Sequence, residues 1–304
     1  MLSNKTINKN IGIFSIVNLT KSLITLMKPR VMSLVIFTCA VGFITSNPSL
    51  KTLESLISIS LVAMGAGAAG CLNMWYEADV DALMTRTCLR PIPTGKVNKR
   101  QALTFGIFLS IFSVVALHYY TNFLSAFLLF FTIAFYVFVY TIWLKRKTPQ
   151  NIVIGGVAGS LPPVIGWTIS TNSISLVSIS LFLIIFFWTP SHFWALSLYK
   201  ADDYKKAKIP MMPITDGPEK TKLYILIYSL LMLPVIVLPY VINFSGLIYL
   251  IPSMILTLYY NFICIDLYRY KKNKFDLKKA KKVFAYSILY LFLIFVLFLL
   301  DYLI

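Results

Sequence analysis

The sequence predicts an all-α protein that crosses a membrane nine times, and three observations support this prediction. Of its 304 residues, 58% are hydrophobic and only 13% are charged, a composition typical of membrane proteins. Nine apolar runs are long enough to cross a bilayer as helices. The basic residues fall in alternate loops between these runs, as expected for a chain threaded back and forth across a membrane.

The apolar runs leave no loop long enough to fold by itself. We therefore expect residues 1–304 to form a single membrane-embedded domain, which begins with a cytoplasmic tail of residues 1–24. The predicted spans lie near residues 31–47, 54–75, 102–120, 123–143, 151–171, 175–197, 222–242, 246–266 and 282–302.

The distribution of positive charge predicts the orientation. All 28 Lys and Arg residues except Lys51 lie in alternate loops, so the N-terminus and every long loop are expected in the cytoplasm. A net charge of +17 could indicate nucleic-acid binding, but these residues do not gather on one soluble face, and we expect no nucleic-acid partner. The absence of a long Arg- and Ser-rich presequence favours a bacterial inner (plasma) membrane over the mitochondrial inner membrane.

Acidic residues concentrate in two of the predicted cytoplasmic loops. The first loop follows span two and the second follows span six, four spans later. This interval predicts two pseudo-duplicated four-helix halves that enclose one cavity between them. Span five, with Pro162 and Pro163, and span six, with Pro190, are both expected to kink, which favours a cavity because broken backbone in a bilayer must be buried or line one.

The first acidic loop carries the pattern that points most directly to chemistry. Asn73, Glu77 and Asp81 are four residues apart, so a helix would place their side chains on one face at the membrane edge. Oxygen-bearing side chains in this arrangement suit a hard divalent cation such as Mg²⁺, and Arg86 and Arg90 suit phosphate oxygens. The alternative is a solvated helix end with ordinary surface charges.

Further cations accompany carboxylates in the other cytoplasmic loops. Lys145 and Arg146 precede span five, and Lys200 lies beside Asp203 after span six. Such mixed clusters suit a magnesium-bound diphosphate, with a lipophilic tail in an aromatic membrane pocket below, where ring faces stabilise an allylic carbocation. Alternatively, the basic residues only determine the orientation of the chain in the membrane. The orientation does not depend on carboxylates, so this alternative does not explain the acidic residues.

His192 lies near the cytoplasmic end of span six, about three helical turns before Asp203. A lone membrane histidine can be a ligand or a hydrogen-bonded packing residue, and its sequence position leaves both interpretations open.

Four stretches carry a family resemblance. They are residues 26–38, 65–95, 140–167 and 187–217, which include NMWYEADVDALMTRT and DDYKKAKIPMMP. Through them the chain resembles the UbiA superfamily of intramembrane prenyltransferases, and in particular its haem-modifying branch. The last three spans match only in hydropathy.

The resemblance implies transfer of the farnesyl group of farnesyl diphosphate to a vinyl group of haem b. The products would be haem O and pyrophosphate, with addition of water, in the biosynthesis of haem O and haem A for terminal oxidases. The superfamily motif N-x-x-x-D-x-x-x-D maps onto Asn73, Glu77 and Asp81, which would bind Mg²⁺ and diphosphate. Lys145 and Arg146 would hold the diphosphate with help from Arg86 and Arg90.

Two positions depart from the superfamily pattern. Glu77 stands where most relatives have Asp, and the second acidic motif keeps only Asp203, with His192 and Tyr199 at its other two positions. We interpret the second departure as adaptation to a porphyrin. We hypothesise that His192 contacts haem, either at the haem iron or elsewhere on the molecule, and that Asp203 binds Mg²⁺.

The resemblance also suggests haem A synthase or oxidase-assembly proteins as partners. One alternative function is prenylation of a quinone precursor by the same fold. Another is a transporter or lipid-binding protein, but such a protein should carry its ionisable residues near the middle of the membrane, whereas here they gather at one face.

Overall fold

The computed structural model describes residues 18–49, 51–269 and 277–304. Every regular element in these residues is helical, which confirms the predicted fold class. Most of the predicted N-terminal tail, residues 1–17, lies outside the described residues, and its last part belongs to a helix that begins at Asn18.

The helices are α1 (Asn18–Leu26), α2 (Pro29–Thr45), α3 (Thr52–Tyr76), α4 (Ala78–Leu83), α5 (Lys99–Tyr120), α6 (Phe123–Ala134), α7 (Asn151–Ser160), α8 (Pro162–Thr171), α9 (Leu176–Tyr199), α10 (Ala201–Lys206), α11 (Met212–Thr215), α12 (Pro218–Val241), α13 (Leu247–Arg269) and α14 (Leu277–Leu303). A π-helical segment, Phe135–Leu144, continues α6 toward the membrane edge.

Eight described segments are long and apolar enough to cross a membrane, and the pair α1–α2, bent by 53°, can supply a ninth. All nine coincide with apolar runs in the sequence. α7 and α8 form one of these spans, interrupted at Leu161 before Pro162, as the proline pair predicts. The helix of span six is not interrupted by its proline: α9 continues through Pro190, and the Trp188 indole fixes it to α14 by donating to the carbonyl of Ser287.

The two predicted halves share a construction. α3 ends at Tyr76, Glu77 forms the junction, and the six-residue α4 follows. In the second half, α9 ends at Tyr199, Lys200 forms the junction, and the six-residue α10 follows. In both halves, therefore, a long membrane helix is followed after one residue by a short helix that carries acidic residues.

Helix packing closes the bundle, and its apolar cores cross the boundary between the halves. Leu129 of span four and Ile165 of span five share one core, whereas Val41 of span one belongs to another core with Trp194 and Tyr260. α14 packs against α2, so that the last span meets the first. The acidic junctions of both halves lie in the same part of this bundle, where the Thr85 hydroxyl bonds the Asp203 carboxylate.

α2 and α8 cross closely because each has a glycine at the contact. A Cβ added to Gly166 would overlap the carbonyl oxygen of Cys39, and one added to Gly42 would overlap that of Pro163. We expect Gly166→Ala to destabilise the protein by about 1–3 kcal/mol, because backbone cannot give way as a side chain can. Gly159→Ala is the control, since no atom lies within 4 Å of its added Cβ. Equal thermal stability of the two variants in detergent would contradict this interpretation.

Candidate active site

The Asn73, Glu77 and Asp81 side chains lie on one helical face, as their spacing predicts. The backbone N–H of Glu77 donates to the Asn73 carbonyl at 3.0 Å, and that of Asp81 donates to the Glu77 carbonyl at 2.8 Å. These bonds carry the four-residue repeat across the junction between α3 and α4. All three residues are buried, each at most 3% exposed. A solvated helix end does not describe this site.

Glu77 is held through one of its two carboxylate oxygens. Oε2 accepts hydrogen bonds from Asn73 Nδ2 at 2.9 Å and from Lys145 Nζ at 2.5 Å. Oε1 is buried and has no hydrogen-bond partner in the structure. An unpartnered buried carboxylate oxygen is costly, and a bound cation would satisfy it.

Lys145 reaches Glu77 from the end of the π-helical segment. Burial lowers the pKa of Lys145, but the Glu77 carboxylate more than compensates and keeps the pKa above its usual value. Lys145 is therefore a fixed positive charge. The same segment places the Thr141 hydroxyl 3.1 Å from Asn73 Nδ2, and it holds the Tyr136 and Tyr140 rings tilted by 30° with centroids 5.2 Å apart. π-helical turns are frequent at functional sites.

Asp81 is paired with Arg90 in the loop that follows α4. Arg90 Nη1 contacts both carboxylate oxygens, at 2.8 and 2.7 Å. The Thr87 hydroxyl donates to the backbone carbonyl of Asp81 at 2.9 Å, which folds the intervening turn back onto α4. The arginine predicted for phosphate binding therefore lies against the motif.

Lys28 is a site residue that the sequence interpretation missed. It lies at the bend between α1 and α2 with a left-handed backbone (φ 55°), and its Nζ donates to Asn73 Oδ1 at 2.7 Å. Gly67 of α3 lets this bend approach, since a Cβ on Gly67 would crowd the Met27 side chain. Burial and two neighbouring cations lower the pKa of Lys28 to about 7, and the two buried carboxylates only partly oppose this. The available signal was the K-P-R sequence before the first span.

Asp203 is bound by the first acidic loop rather than by a cation. The Thr85 hydroxyl lies 2.9 and 2.8 Å from its two oxygens, across 118 residues of sequence. This contact connects the two halves. Within the described ranges, however, no three His, Cys, Asp or Glu side chains are close enough to hold one metal ion, so Asp203 does not form a cage with Glu77 and Asp81.

The donor set nevertheless fits Mg²⁺ that arrives with a diphosphate. Mg²⁺ in such sites uses one or two carboxylates, and phosphate oxygens and waters complete its octahedron. Glu77 Oε1 supplies a free buried oxygen of this type, and Asp81 lies one turn further along the same face. A three-carboxylate cage is not required.

Three other predicted cations lie outside the buried cluster. Arg146 forms two hydrogen bonds with Asp79, at 3.0 and 2.8 Å, and these hold the pKa of Asp79 below its usual value. Arg86 is exposed. Lys200 caps α9 with its Nζ 5.8 Å from the Tyr199 ring centre. Their assignment to the diphosphate stays a prediction.

His192 is apart from the carboxylates, in an aromatic stack. Its ring lies between Trp188 and Phe284, with centroid distances of 4.2 and 4.7 Å. Nδ1 is 2.7 Å from the Ser287 hydroxyl, which itself donates to the carbonyl of Phe284. In the tautomer that carries its hydrogen on Nδ1, Ser287 accepts this bond and Nε2 holds the lone pair, as in a metal-binding imidazole.

Comparison with known proteins identifies the family. The sequence model of the UbiA prenyltransferase family matches residues 34–289. The chain is 68% identical over 301 residues to a protein of Pelagibacter ubique named protoheme IX farnesyltransferase, and the alignment covers 99% of each chain. A protein of the same name from Azorhizobium caulinodans is 51% identical over 272 residues, covering 90% of this chain and 89% of its own.

Solved structures confirm the fold. A digeranylgeranylglyceryl phosphate synthase superposes with a TM-score of 0.77 at 18% identity, covering 93% of this chain and 98% of that one. A UbiA homolog from Archaeoglobus fulgidus, bound to DMAPP and Mg²⁺, gives a TM-score of 0.65 at 18% identity, covering 90% and 99%. The predicted resemblance is thus confirmed: the chain belongs to the UbiA prenyltransferase family and, within it, to the protoheme IX farnesyltransferases.

Proposed function

We propose that this membrane enzyme transfers the farnesyl group of farnesyl diphosphate to a vinyl carbon of haem b, with Mg²⁺ as cofactor. The observation that carries the proposal is the buried Glu77 carboxylate, which keeps one oxygen free while Lys28, Arg90 and Lys145 surround the motif. Arg90 and Lys145 balance the two buried carboxylates, and Lys28 adds positive charge when it is protonated, with a pKa of about 7. A diphosphate that binds here would favour the charged form of Lys28. The names of the relatives support haem and a farnesyl group as substrates, and a structural neighbour bound to DMAPP and Mg²⁺ supports an isoprenyl diphosphate with a divalent metal.

In this proposal Glu77 and Asp81 hold the metal with the diphosphate, and Asp203 approaches it through the second loop. The bound ion would withdraw electron density from the diphosphate and so make it a better leaving group. Lys28, Lys145 and Arg90 neutralise the charge that develops as the C1–O bond breaks. The Tyr140 ring lies 5.7 Å from Lys145 Nζ, and the Tyr136 ring is tilted against it. Electron-rich ring faces at this place would stabilise the allylic cation.

The acceptor step balances without an oxidant. The terminal vinyl carbon of haem b attacks C1 of the farnesyl cation, and the positive charge moves to the vinyl carbon attached to the porphyrin. Water adds there and loses a proton, which leaves a hydroxyl group. The products are haem O, pyrophosphate and one proton.

For His192 the proposal is contact with haem through Nε2, the ring nitrogen left free by Ser287. We expect His192→Ala to weaken haem binding and to change the haem absorption spectrum. Full haem affinity with an unchanged spectrum would contradict this assignment.

The proposed setting is the bacterial inner membrane, with the acidic loops in the cytoplasm, as the loop charges predict. Haem A synthase and oxidase-assembly proteins are the proposed partners, because they would receive haem O.

The experiment that tests the function uses purified protein in detergent with haem b, farnesyl diphosphate and Mg²⁺, followed by chromatography. We expect farnesylated haem and pyrophosphate in equal amounts, and loss of both when EDTA removes the metal. Unmodified haem together with prenylation of 4-hydroxybenzoate would instead establish the quinone-precursor function.

Thr85 provides a test of the link between the two loops. Thr85→Val removes both hydrogen bonds to Asp203 at nearly constant volume, and we expect a loss of about 3- to 10-fold in kcat/KM. Thr85→Ser keeps the hydroxyl and is expected to retain most activity. If valine and serine behave alike, the hydroxyl does not position Asp203.

A further inference from the structure

A groove runs along the outer face of α14 beside the end of α9. Its volume is about 500 Å³, within the usual range for small-molecule sites. Its lining is apolar except at one end, and the lining residues used below are Tyr199, Lys281, Phe284, Ala285, Leu289 and Phe292. Residues 285 and 289 are exposed on the bundle surface, so a ligand could enter this groove directly from the bilayer.

The polar end of the groove has a defined chemistry. Lys281 lies one helical turn before Phe284 and Ala285, close to the start of α14. Leu289 and Phe292 continue the apolar wall for two further turns, and Phe292 packs on Phe37 of α2 with ring centroids 4.9 Å apart. The groove therefore suits a broad apolar ligand with an anionic group at one edge.

The groove adjoins the site already described at two points. Phe284 forms its wall with one part of its ring surface and stacks on His192 with another. The ring centroids of Tyr199 and Phe284 are 5.6 Å apart, and Tyr199 precedes Lys200 at the junction that leads into α10 and Asp203. A molecule in the groove would thus be separated from the second acidic loop by one aromatic side chain.

We propose that this groove docks the porphyrin acceptor, with a propionate on Lys281 and the macrocycle on Phe284 and Leu289. The inference rests on the proposed function, which supplies an acceptor that is flat, apolar and anionic at one edge. A neutral lipid chain would pack against the apolar wall but has no anionic group to pair with Lys281. The propionates then lie at the start of α14. Because Phe284 lies between the groove and His192, the docked macrocycle does not reach His192, and contact with that residue belongs to a later position of haem.

The test measures binding of metal-free protoporphyrin IX to the full-length protein in neutral-lipid nanodiscs, by porphyrin fluorescence. Without iron, binding does not depend on a histidine ligand. We expect Lys281→Glu to weaken binding about 5-fold or more, because it replaces attraction by repulsion at the propionate. Protoporphyrin dimethyl ester, which has no carboxylate, is expected to bind the wild type and this variant equally.

Lys282→Glu is the matched control, because it makes the same charge change on the neighbouring residue, whose Nζ lies over Tyr259 and not in the groove. We expect its binding to be within about twofold of the wild type. A second variant, Ala285→Trp, fills the groove and is expected to weaken binding of both porphyrins. Equal effects of Lys281→Glu and Lys282→Glu, or unchanged binding by Ala285→Trp, would overturn the proposal.

The turnover assay separates this inference from the proposed function. If the wild type farnesylates haem b but the protoporphyrin affinity is the same in the wild type and in both groove variants, the enzyme binds its acceptor elsewhere. If the wild type makes no farnesylated haem, the proposed function fails, whatever the porphyrin binding shows.

Discussion

Glu77→Gln is expected to reduce kcat by about 100-fold or more, since preorganised charge at a reacting diphosphate is worth that much. The substitution keeps the shape of the side chain but removes the negative charge. Oε1 then loses its affinity for a divalent cation, and Lys145 loses the carboxylate 2.5 Å away. The measurement is single-turnover formation of farnesylated haem at saturating Mg²⁺.

The loss of the ion pair could also destabilise the fold, because an uncompensated buried charge costs about 3–5 kcal/mol. The double variant Glu77→Gln/Lys145→Met removes both charges and should recover stability without activity. Recovery of activity by the double variant would mean that Glu77 serves the structure alone. Glu77→Asp tests whether the length of the side chain matters. Because aspartate is shorter by one methylene, it cannot contact Asn73 and Lys145 in the same way, and we expect a rate between those of the wild type and Glu77→Gln.

Asp81→Asn is expected to abolish measurable turnover while the protein remains folded. Asp81 is 3% exposed and binds Arg90 through both oxygens, so an amide would remove a metal-binding charge and leave the arginine only partly satisfied. The loss should exceed about 100-fold in kcat/KM. Size-exclusion profile and melting temperature serve as checks of folding.

Asp79→Asn is the matched control, two residues earlier in the same helix. Its carboxylate is exposed and pairs with Arg146 outside the buried cluster. A surface pair of this kind contributes little, so we expect activity within about twofold of the wild type. Near-normal activity of Asp81→Asn, or equal losses in the two variants, would rule out the assigned metal role of Asp81.

Hydropathy and loop charge predicted the spans well because bilayer thickness sets helix length. Spacing alone also placed Asn73, Glu77 and Asp81 correctly, since the helical repeat continues through the junction at Glu77. These features depend on local physics. Neither requires knowledge of which helices become neighbours.

Contacts between distant segments could not be read from the sequence in the same way. Lys28 looked like one more topological lysine, because the bend and left-handed backbone that direct it to Asn73 leave no periodic signal. The bond between Thr85 and Asp203 spans 118 residues and arises only when the two halves pack together. Arg146 was assigned to diphosphate by resemblance, but its pairing with Asp79 depends on where the π-helical segment ends.

The most direct test of the central claim is calorimetric binding of farnesyl thiodiphosphate, a slowly ionising analogue, to the wild type and to Glu77→Gln and Asp81→Asn. If the buried cluster holds a metal-bound diphosphate, the wild type should bind the analogue tightly with Mg²⁺ and at least about tenfold more weakly with EDTA, and both variants should lose this Mg²⁺ dependence. The claim would be contradicted if the wild type bound the analogue equally tightly with and without Mg²⁺. It would also be contradicted if both variants kept the Mg²⁺-dependent affinity of the wild type.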